Sequence, residues 1–422
     1  MRSLAVSIEY EGNFIRVGKI KGNTPDDAVF AYAPEYLLKE NARALSISLP
    51  IKKESFSPVQ TRNYFEGLLP EGFTRRSVAR YAHADENDYL SILSALGREC
   101  IGAVKIVEEE VPEEEPSYRE LKAEEIASLA REGAARSAQL VTKAHLSLAG
   151  ASGKTGLYYD EGEKKWYLPE GTAPSTHIVK QSHVRLKRIV ANELLCLHTA
   201  AKLGIKTAQS FMVNDYGADD ENVLFATKRY DRIFAKDIRV ISGRAAPLRL
   251  HQEDLSQAMG IPANEKYETA GGAYLKRAFG IIRDNCADPI EDGQRLWDIC
   301  IFNYLIGNTD NHIKNLSLLY SADMRTIRLA PAYDIISTIA YEESTDQMSL
   351  GIGGEFDIRK ITRESFEKEA ENIGLGRRFA MSRFDMLSAN LEKALLSAKK
   401  ELEEGQAVSG LDDICERILS LR

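Results

Sequence analysis

The chain has 422 residues, of which 44% are hydrophobic and 28% are charged, as is typical of a globular protein with a large core. Its 55 basic and 63 acidic side chains give a net charge of −8, which disfavours nucleic-acid binding by bulk electrostatics. No apolar run approaches the roughly 20 residues that span a bilayer. The five scattered cysteines lack zinc-site or disulfide-framework spacing, so we expect a cytoplasmic protein.

Residues 1–107 are predicted to form a small α+β subdomain, because short alternating runs are followed by helical patterns. The expected strands are Leu4–Tyr10, Asn13–Ile20 and Ala44–Leu49, and the expected helices are Pro58–Leu68 and Asp88–Leu96. Residues 108–117 are rich in glutamate and predict an acidic, solvated linker.

Residues 118–235 are predicted to be the nucleotide-clamping part of a kinase core, and residues 236–422 a helical lobe that carries the catalytic loop. The expected elements are strands at 156–160, 165–168, 177–180 and 223–227 and helices at 187–203, 273–283, 294–306 and 383–400. This order predicts an α+β, bilobal, protein-kinase-like fold with a small N-terminal α+β subdomain and a helical C-terminal lobe.

A segment of small residues, Ser147–Thr155 (SLAGASGKT), would let backbone N–H groups approach phosphate oxygens closely. It ends like a P-loop, but the Walker pattern requires glycine where the chain has Leu148. Because a strand is expected directly after it, we interpret the segment as a kinase-type loop between strands. The alternative is an ordinary tight turn.

Lys180 closes the short strand that follows this loop, where a kinase places the lysine that contacts the α- and β-phosphates. Glu193, on the next predicted helix, would orient that lysine in a kinase. The alternative for Glu193 is an ordinary surface glutamate.

The segment Lys228–Tyr230 follows the strand expected at 223–227 and would form a hinge that offers backbone groups to adenine. The alternative is a charged strand end, in which Asp231 pairs with Arg229 or Arg232.

The segment Gly307–Asn315 (GNTDNHIKN) places Asp310 five positions before Asn315, and Asp334 follows nineteen residues later. In a phosphotransferase, one carboxylate accepts the proton of the attacking hydroxyl, while an amide and a second carboxylate hold Mg²⁺. Asp310 is therefore the candidate catalytic base, with Asn315 and Asp334 as candidate metal ligands. His312 is expected to position the loop and not to bind metal. The alternative for Asp334 is a helix N-cap.

In this order and over nearly the whole chain, these residues resemble the HipA family, the serine/threonine kinase toxins of bacterial type II toxin–antitoxin systems. The motifs that carry the resemblance are Asn63–Pro70, Ile101–Val104, Ser147–Ala151, Thr176–Lys180, Asn192–Cys196, Tyr230–Arg232, Gln252–Asp254, Gly307–Asn315 and Tyr333–Ile335.

The resemblance implies ATP and Mg²⁺ as cofactors, with Asp310 as base and Asn315 and Asp334 on the metal. The implied nucleotide-binding residues are Ala149, Gly150, Ala151, Ser152, Gly153, Lys154, Lys180, Lys228, Arg229, Tyr230 and His312. Ser147 matches the family's autophosphorylated serine, whose modification should repel ATP. Ser152 stands where the family commonly has glutamine, which affects the details of the loop.

The leading hypothesis is therefore a protein kinase toxin restrained by a HipB-like helix-turn-helix antitoxin, with an aminoacyl-tRNA synthetase suggested as its protein substrate by the resemblance. DNA contact is expected only through the antitoxin, because the helical segment 366–373 is acidic. The alternatives are a catalytically weak corepressor scaffold that acts with a DNA-binding antitoxin, and a kinase for a small metabolite.

Overall fold

A computed structural model describes residues 2–109, 114–150, 153–182, 186–213, 223–237, 239–406 and 408–421. The chain forms two compact units, each assembled from separate segments. The first unit comprises Met1–Gln181, Ala226–Ala263 and Leu319–Ile327, and the second comprises Ser182–Phe225, Asn264–Leu318 and Arg328–Arg422.

Strands occur in both units. They are β1 (Arg2–Tyr10), β2 (Asn13–Gly22), β3 (Val29–Tyr32), β4 (Val104–Glu108), β5 (Ser117–Glu120), β6 (Lys154–Asp160), β7 (Lys165–Glu170), β8 (His177–Gln181), β9 (Ser210–Val213), β10 (Leu224–Lys228), β11 (Arg232–Ile233), β12 (Arg239–Ile241), β13 (Arg244–Ala246), β14 (Leu248–Arg249), β15 (Gln252–Asp254), β16 (Ser317–Tyr320), β17 (Ile327–Leu329), β18 (Gln347–Ile352) and β19 (Glu355–Asp357).

The longer helices are concentrated in the second unit. In chain order the α-helices are α1 (Pro34–Leu37), α2 (Pro58–Phe65), α3 (Gly72–Tyr81), α4 (Tyr89–Leu96), α5 (Ala123–Lys143), α6 (Ile189–Lys202), α7 (Leu255–Met259), α8 (Tyr274–Asn285), α9 (Pro289–Leu305), α10 (Arg363–Ile373), α11 (Arg377–Gln406) and α12 (Asp412–Leu419).

The N-terminal part of the first unit is a four-stranded sheet in the order β3-β2-β1-β4. The β1–β2 hairpin turns at Glu11 and Gly12, whose φ angles of 47° and 87° suit the tight turns that join twisted antiparallel strands. The buried face of the sheet contributes to an aromatic cluster in which the Phe30 ring lies 5.2 Å from Phe65 and 5.9 Å from Phe56. This aromatic cluster forms part of the hydrophobic core that stabilises the N-terminal subdomain.

Local sequence signals explain where the helices of this subdomain begin. Ser57 and Gln60 form a capping box at the start of α2, which also has proline at its first position. Asp88 caps α4 by accepting the backbone N–H of Ser91.

A larger sheet follows, in which β5, β7, β6, β8 and β10 are successive neighbours. Strands β6 and β8 are antiparallel, and their register places Lys154 directly opposite Lys180. On this sheet Tyr118, Tyr158 and Tyr167 pack together, with centroid separations of 4.3 Å and 6.1 Å between successive rings. The sheet therefore holds the two lysines of the predicted phosphate site on adjacent strands.

The second unit is organised around the long helix α11, which packs against α6, α9 and α10. Four aromatic residues fill the space between α9, α10 and α11. They are Trp297, Tyr304, Phe366 and Phe384. The indole N–H of the fully buried Trp297 donates to the Ala380 carbonyl at 3.1 Å, so the largest side chain of this core also satisfies its polar atom.

The predicted strand at Ala44–Leu49 is wrong: the segment forms only an isolated bridge between Ser46 and Leu49. Its alternating apolar residues Leu45 and Leu49 are buried, as a strand would place them. Its backbone is bonded by side chains and not by a neighbouring strand. For example, the Leu45 N–H donates to the Tyr32 hydroxyl at 2.7 Å.

All five cysteines are free and buried, at positions 100, 196, 286, 300 and 415. Within the described ranges, no helix has the length and apolar character needed to cross a membrane.

Truncation of the central aromatic residue should destabilise the protein. We expect Trp297→Ala to lower the free energy of unfolding by about 3–5 kcal/mol, because it leaves a large cavity among Tyr304, Phe366 and Phe384. The control is Ile290→Ala on the same helix, where the side chain is 84% exposed and the loss should stay below about 0.5 kcal/mol. Urea denaturation measures both variants, and equal losses would contradict this account of the core.

Candidate functional site

The catalytic segment predicted from the sequence begins where α9 ends. Gly307 has φ of 70°, a left-handed conformation, and a Cβ at this position would lie 2.3 Å from a side-chain carbon of Ile339. Glycine is therefore required both by the turn and by the close packing. The Gly307 carbonyl accepts the Thr338 N–H at 3.0 Å, which joins the segment to the chain beyond Asp334.

Further hydrogen bonds hold the residues next to Asp310. The Thr309 N–H donates to the Thr338 hydroxyl at 2.8 Å, and the Thr309 carbonyl accepts both the backbone N–H and the hydroxyl of Ser349, at 2.9 Å and 2.6 Å. The Asp310 N–H donates to the Asn308 side-chain oxygen at 3.1 Å. The backbone that presents Asp310 is thus fixed by a dense set of bonds.

The Asp310 carboxylate is exposed, and its Oδ1 accepts the Tyr267 hydroxyl at 3.0 Å. The Asp310 carbonyl accepts the His312 N–H at 2.9 Å and the Asn315 side-chain N–H at 3.1 Å. Because the Asn315 amide nitrogen is used in this bond, its side-chain oxygen is directed elsewhere and remains the group suited to a cation. Tyr267 was not identified by sequence reasoning, since nothing in its local sequence marks it.

The segment that carries Asp334 is tied to the segment that carries Asn315 by one tyrosine. The Tyr333 hydroxyl donates to the Lys314 carbonyl at 2.9 Å and bonds the Ser317 hydroxyl at 2.6 Å. The hydrogen bond between Tyr333 and Lys314 therefore joins the residue before Asp334 to the residue before Asn315, the two predicted metal ligands.

Asp334 itself has φ of 56°, which is uncommon for a residue with a Cβ. It does not cap a helix, because the N-cap of the following 3₁₀ turn, Thr338–Ala340, is Ser337. The N-cap alternative for Asp334 is thus wrong.

His312 is buried and its ring lies edge-on to the Tyr267 ring, with centroids 5.3 Å apart. Since Tyr267 also donates to Asp310, His312 contributes to the support of the carboxylate. This contact fits the loop-positioning role expected for His312.

In the first unit, the predicted phosphate loop leads into strand β6, so the expectation that no helix follows it is confirmed. The expectation of a strand before it is wrong, because the preceding element is helix α5, which ends at Lys143. Ala151 and Ser152 lie outside the described residues. Ala149 precedes Gly150, and Gly153 directly precedes β6.

Gly150 has φ of 106°, and a Cβ added there would lie 2.8 Å from the Nζ of Lys154. Lys154 is also the register partner of Lys180 across β6 and β8. Like charges directly opposite each other destabilise a strand pair, so an anion beside the two lysines would stabilise this arrangement. The structure thus places Lys154 beside Gly150 of the predicted loop and directly opposite Lys180 on the next strand.

Ser147 lies fully buried at the start of this loop. Its hydroxyl donates to the Leu68 carbonyl at 2.6 Å, and its N–H donates to the Glu99 carbonyl at 2.8 Å. Both acceptors belong to the N-terminal subdomain, which therefore anchors the loop.

At the predicted hinge, the Arg229 side chain is buried and contacts Asp231 at 2.7 Å, while Asp231 also pairs with Arg232 at 3.0 Å. The Arg229 side chain therefore forms the salt bridge with Asp231 that the charged-strand-end alternative predicted. The backbone N–H of Arg229 donates to the Thr176 carbonyl at 2.9 Å. Lys228 pairs with Glu161 at 2.9 Å.

Tyr230, the last residue of the predicted hinge, donates its hydroxyl to the Gln252 side-chain oxygen. Glu193 is buried within α6 of the second unit, so the surface alternative for this residue is wrong.

A buried carboxylate joins the predicted hinge to the predicted phosphate loop. The Glu99 side chain accepts from Arg232 at 3.0 Å and from the N–H of Ser175 at 3.0 Å, while its carbonyl binds Ser147. Burial tends to raise the pKa of Asp231, but Arg229 and Arg232 outweigh burial and hold it below its ordinary value.

The fold described above is of the α+β, kinase-like class. The sequence matches the family model for the HipA N-terminal domain over residues 12–107 and that for the HipA-like C-terminal domain over residues 146–395. The chain belongs to the HipA family, as the sequence motifs indicated.

Curated relatives cover most of the chain. A putative kinase, Y4mE, of Sinorhizobium fredii is 31% identical over 371 residues, which are 85% of this chain and 84% of the relative. The serine/threonine-protein kinase toxin HipA of Shewanella oneidensis is 26% identical over 384 residues, which are 88% of this chain and 84% of the toxin.

Among solved structures, HipA of Shewanella oneidensis MR-1, in complex with HipB and its operator DNA, matches with a TM-score of 0.78 at 23% identity. The match covers 99% of this chain and 95% of that one. This likeness confirms the predicted α+β, kinase-like fold.

The buried ion pairs of the hinge should be important for stability. We expect Asp231→Asn to lower the free energy of unfolding at pH 7 by roughly 3–5 kcal/mol, because two buried guanidinium groups lose their partner. Since the folded-state pKa is depressed, this contribution is present above the unfolded value near 3.9 and is lost as the pH falls below it. Urea denaturation between pH 3 and pH 8 should therefore show the difference from wild type shrinking on the acid side.

The control for this prediction is Asp237→Asn, which removes an exposed carboxylate from the same region and should change stability by less than about 0.5 kcal/mol. A difference for Asp231→Asn that stays constant down to pH 3 would contradict the assignment.

Proposed function

We propose that the chain is an ATP- and Mg²⁺-dependent serine/threonine protein kinase and the toxin of a HipA/HipB-type toxin–antitoxin module. The observation that carries this proposal is the second-unit loop, in which Asp310 and Asn315 share a hydrogen bond and Tyr333 ties the loop to the Asp334 segment. The names of the curated relatives support the same activity.

The donor set suits magnesium held jointly with nucleotide phosphates. Among the described residues, no group of three or more His, Cys, Asp or Glu side chains could hold a metal ion alone. Nucleotide-bound Mg²⁺ usually takes one or two protein oxygens together with phosphate and water. Asn315, whose amide nitrogen is occupied by Asp310, and the Asp334 carboxylate would supply those oxygens. The ion would neutralise charge on the phosphates.

Asp310 would act as the base. Its exposed carboxylate can reach a substrate hydroxyl, and the Tyr267 hydroxyl holds one carboxylate oxygen at 3.0 Å. The other oxygen would orient the attacking hydroxyl and accept its proton as the phosphorus–oxygen bond forms.

The first unit would bind the phosphates through the proposed loop residues and the paired lysines. Lys154 and Lys180 lie opposite each other in register, and Gly150 is packed against the Lys154 ammonium group. Ala149, Ala151, Ser152 and Gly153 are included by family resemblance. Backbone groups of residues 228–230 would border adenine, since the Arg229 side chain is engaged with Asp231.

Ser147 would be the autophosphorylation site. Its hydroxyl is buried against the Leu68 carbonyl, so the loop must leave this position before the hydroxyl can be phosphorylated. A phosphate adds nearly two negative charges, which cannot return to the buried site and would repel ATP. The kinase would thereby inactivate itself.

A HipB-like helix-turn-helix antitoxin is the proposed partner, because the matching HipA of Shewanella oneidensis was solved with HipB and operator DNA. DNA would be contacted through that antitoxin. A translation component such as an aminoacyl-tRNA synthetase is the proposed target, by family resemblance, and a cytoplasmic location follows from this target.

Removal of the base tests the proposed reaction. We expect Asp310→Asn to lower phosphate transfer from radiolabelled ATP to protein by about 10²–10⁴-fold, because the amide cannot accept the hydroxyl proton. Growth arrest on expression should disappear with it. Asp284→Asn, an exposed change on α8, is the control and should keep both activities. Toxicity retained by Asp310→Asn would exclude phosphate transfer as its cause, and ATP consumption without labelled protein would favour a small-metabolite kinase.

Ser147 provides a second test. After incubation with ATP, mass spectrometry of the active enzyme should find phosphate on Ser147 and a matching fall in transfer rate. Ser147→Ala should lack the modification and keep its initial rate for longer. An unmodified Ser147 peptide in enzyme that has lost activity would refute the switch.

A further inference from the structure

A cavity of about 780 Å³ lies within the second unit, and Asp310 forms part of its wall. Tyr267, whose hydroxyl donates to the Asp310 carboxylate, lines the same cavity. The cavity thus begins at the proposed base. Neither Asn315 nor Asp334 is among its lining residues. A group seated in it could present a hydroxyl to Asp310.

The walls of the cavity are mainly apolar. Met348 is buried, Phe356 and Tyr341 are half-buried, and all three contribute to the lining. Such walls favour an apolar side chain of a ligand, because its surface is removed from water there.

The described residues that line the cavity carry negative charge. Its acidic lining residues are Asp310, Glu268 and Glu343, and none of its described lining residues is lysine or arginine. The Glu268 carboxylate is fixed in place, because it accepts the N–H groups of Tyr274 and Gly351, each at 2.9 Å. Glu343 is exposed, so its carboxylate is accessible to an approaching cation.

We infer that this cavity binds the acceptor segment of the protein substrate, and that Glu343 selects a lysine or arginine close in sequence to the accepting serine or threonine. An apolar neighbour of the accepting residue would occupy the wall formed by Met348 and Phe356. The inference rests on the proposed kinase activity and adds to it the chemistry of the substrate. Opposite charge at the cavity attracts a basic segment and disfavours an acidic one.

The test uses the full chain and two serine peptides that differ only in a lysine or a glutamate beside the accepting residue. The variants are wild type, Glu343→Lys and the control Glu371→Lys, which makes the same charge change at an exposed position of α10 outside the cavity. The readout is the ratio of phosphorylation rates on the two peptides, so a general loss of activity does not affect it. ATP hydrolysis by wild type is measured in parallel.

Wild type and Glu371→Lys should prefer the lysine peptide, and Glu343→Lys should lower that ratio by about tenfold, as expected for one reversed charge contact near a protein surface. An unchanged ratio in Glu343→Lys, or no preference in wild type, would overturn the inference. ATP hydrolysis without phosphorylation of either peptide would also count against it. An absence of ATP hydrolysis in wild type would instead remove the proposed kinase function itself.

Discussion

One tyrosine hydroxyl constrains the chemistry of the second unit. Tyr333 bonds the Lys314 carbonyl and the Ser317 hydroxyl, so the residue before Asp334 is attached to the residue before Asn315. This attachment constrains the backbone beside each candidate ligand, and the Asn315 side chain is further held by the Asp310 carbonyl. The hydrogen bonds around Thr309 then fix Asp310 against the same framework. A phosphotransferase depends on positioning, and here the positioning is performed by neutral side chains that would not compete with the proposed base for its proton.

The first unit achieves a comparable constraint with charge. Buried carboxylates and guanidinium groups tie the strand end after β10 to Glu99, and Glu99 in turn holds the backbone of Ser147. Such a network is costly to desolvate and gives little net stability unless every member is paired. Its value is geometric, since it connects the N-terminal subdomain, the proposed hinge and the proposed phosphate loop through directional bonds.

The sequence identified most of what depends on short-range pattern. The alternation of β1 and β2, the helices α2 and α4 and the order of the site motifs all follow from local chemistry. It did not identify α5, whose helical pattern is interrupted by the non-helical Gly133, or Tyr267, whose role depends on a contact 43 positions away at Asp310. The false strand at Ala44–Leu49 has the same origin, because its backbone partners are side chains remote in sequence.

The concealment of the Ser147 hydroxyl beneath the Leu68 carbonyl has a kinetic consequence. If that hydroxyl is the acceptor of self-modification, its rate is limited by how often the loop detaches, whereas an external substrate meets an Asp310 carboxylate that is already accessible. Self-inactivation would then begin later than phosphorylation of the substrate. The delay would depend on the strength of the two hydrogen bonds that Ser147 makes to Leu68 and Glu99. The protein would act as a timer, with a pulse of activity whose length is fixed by local opening.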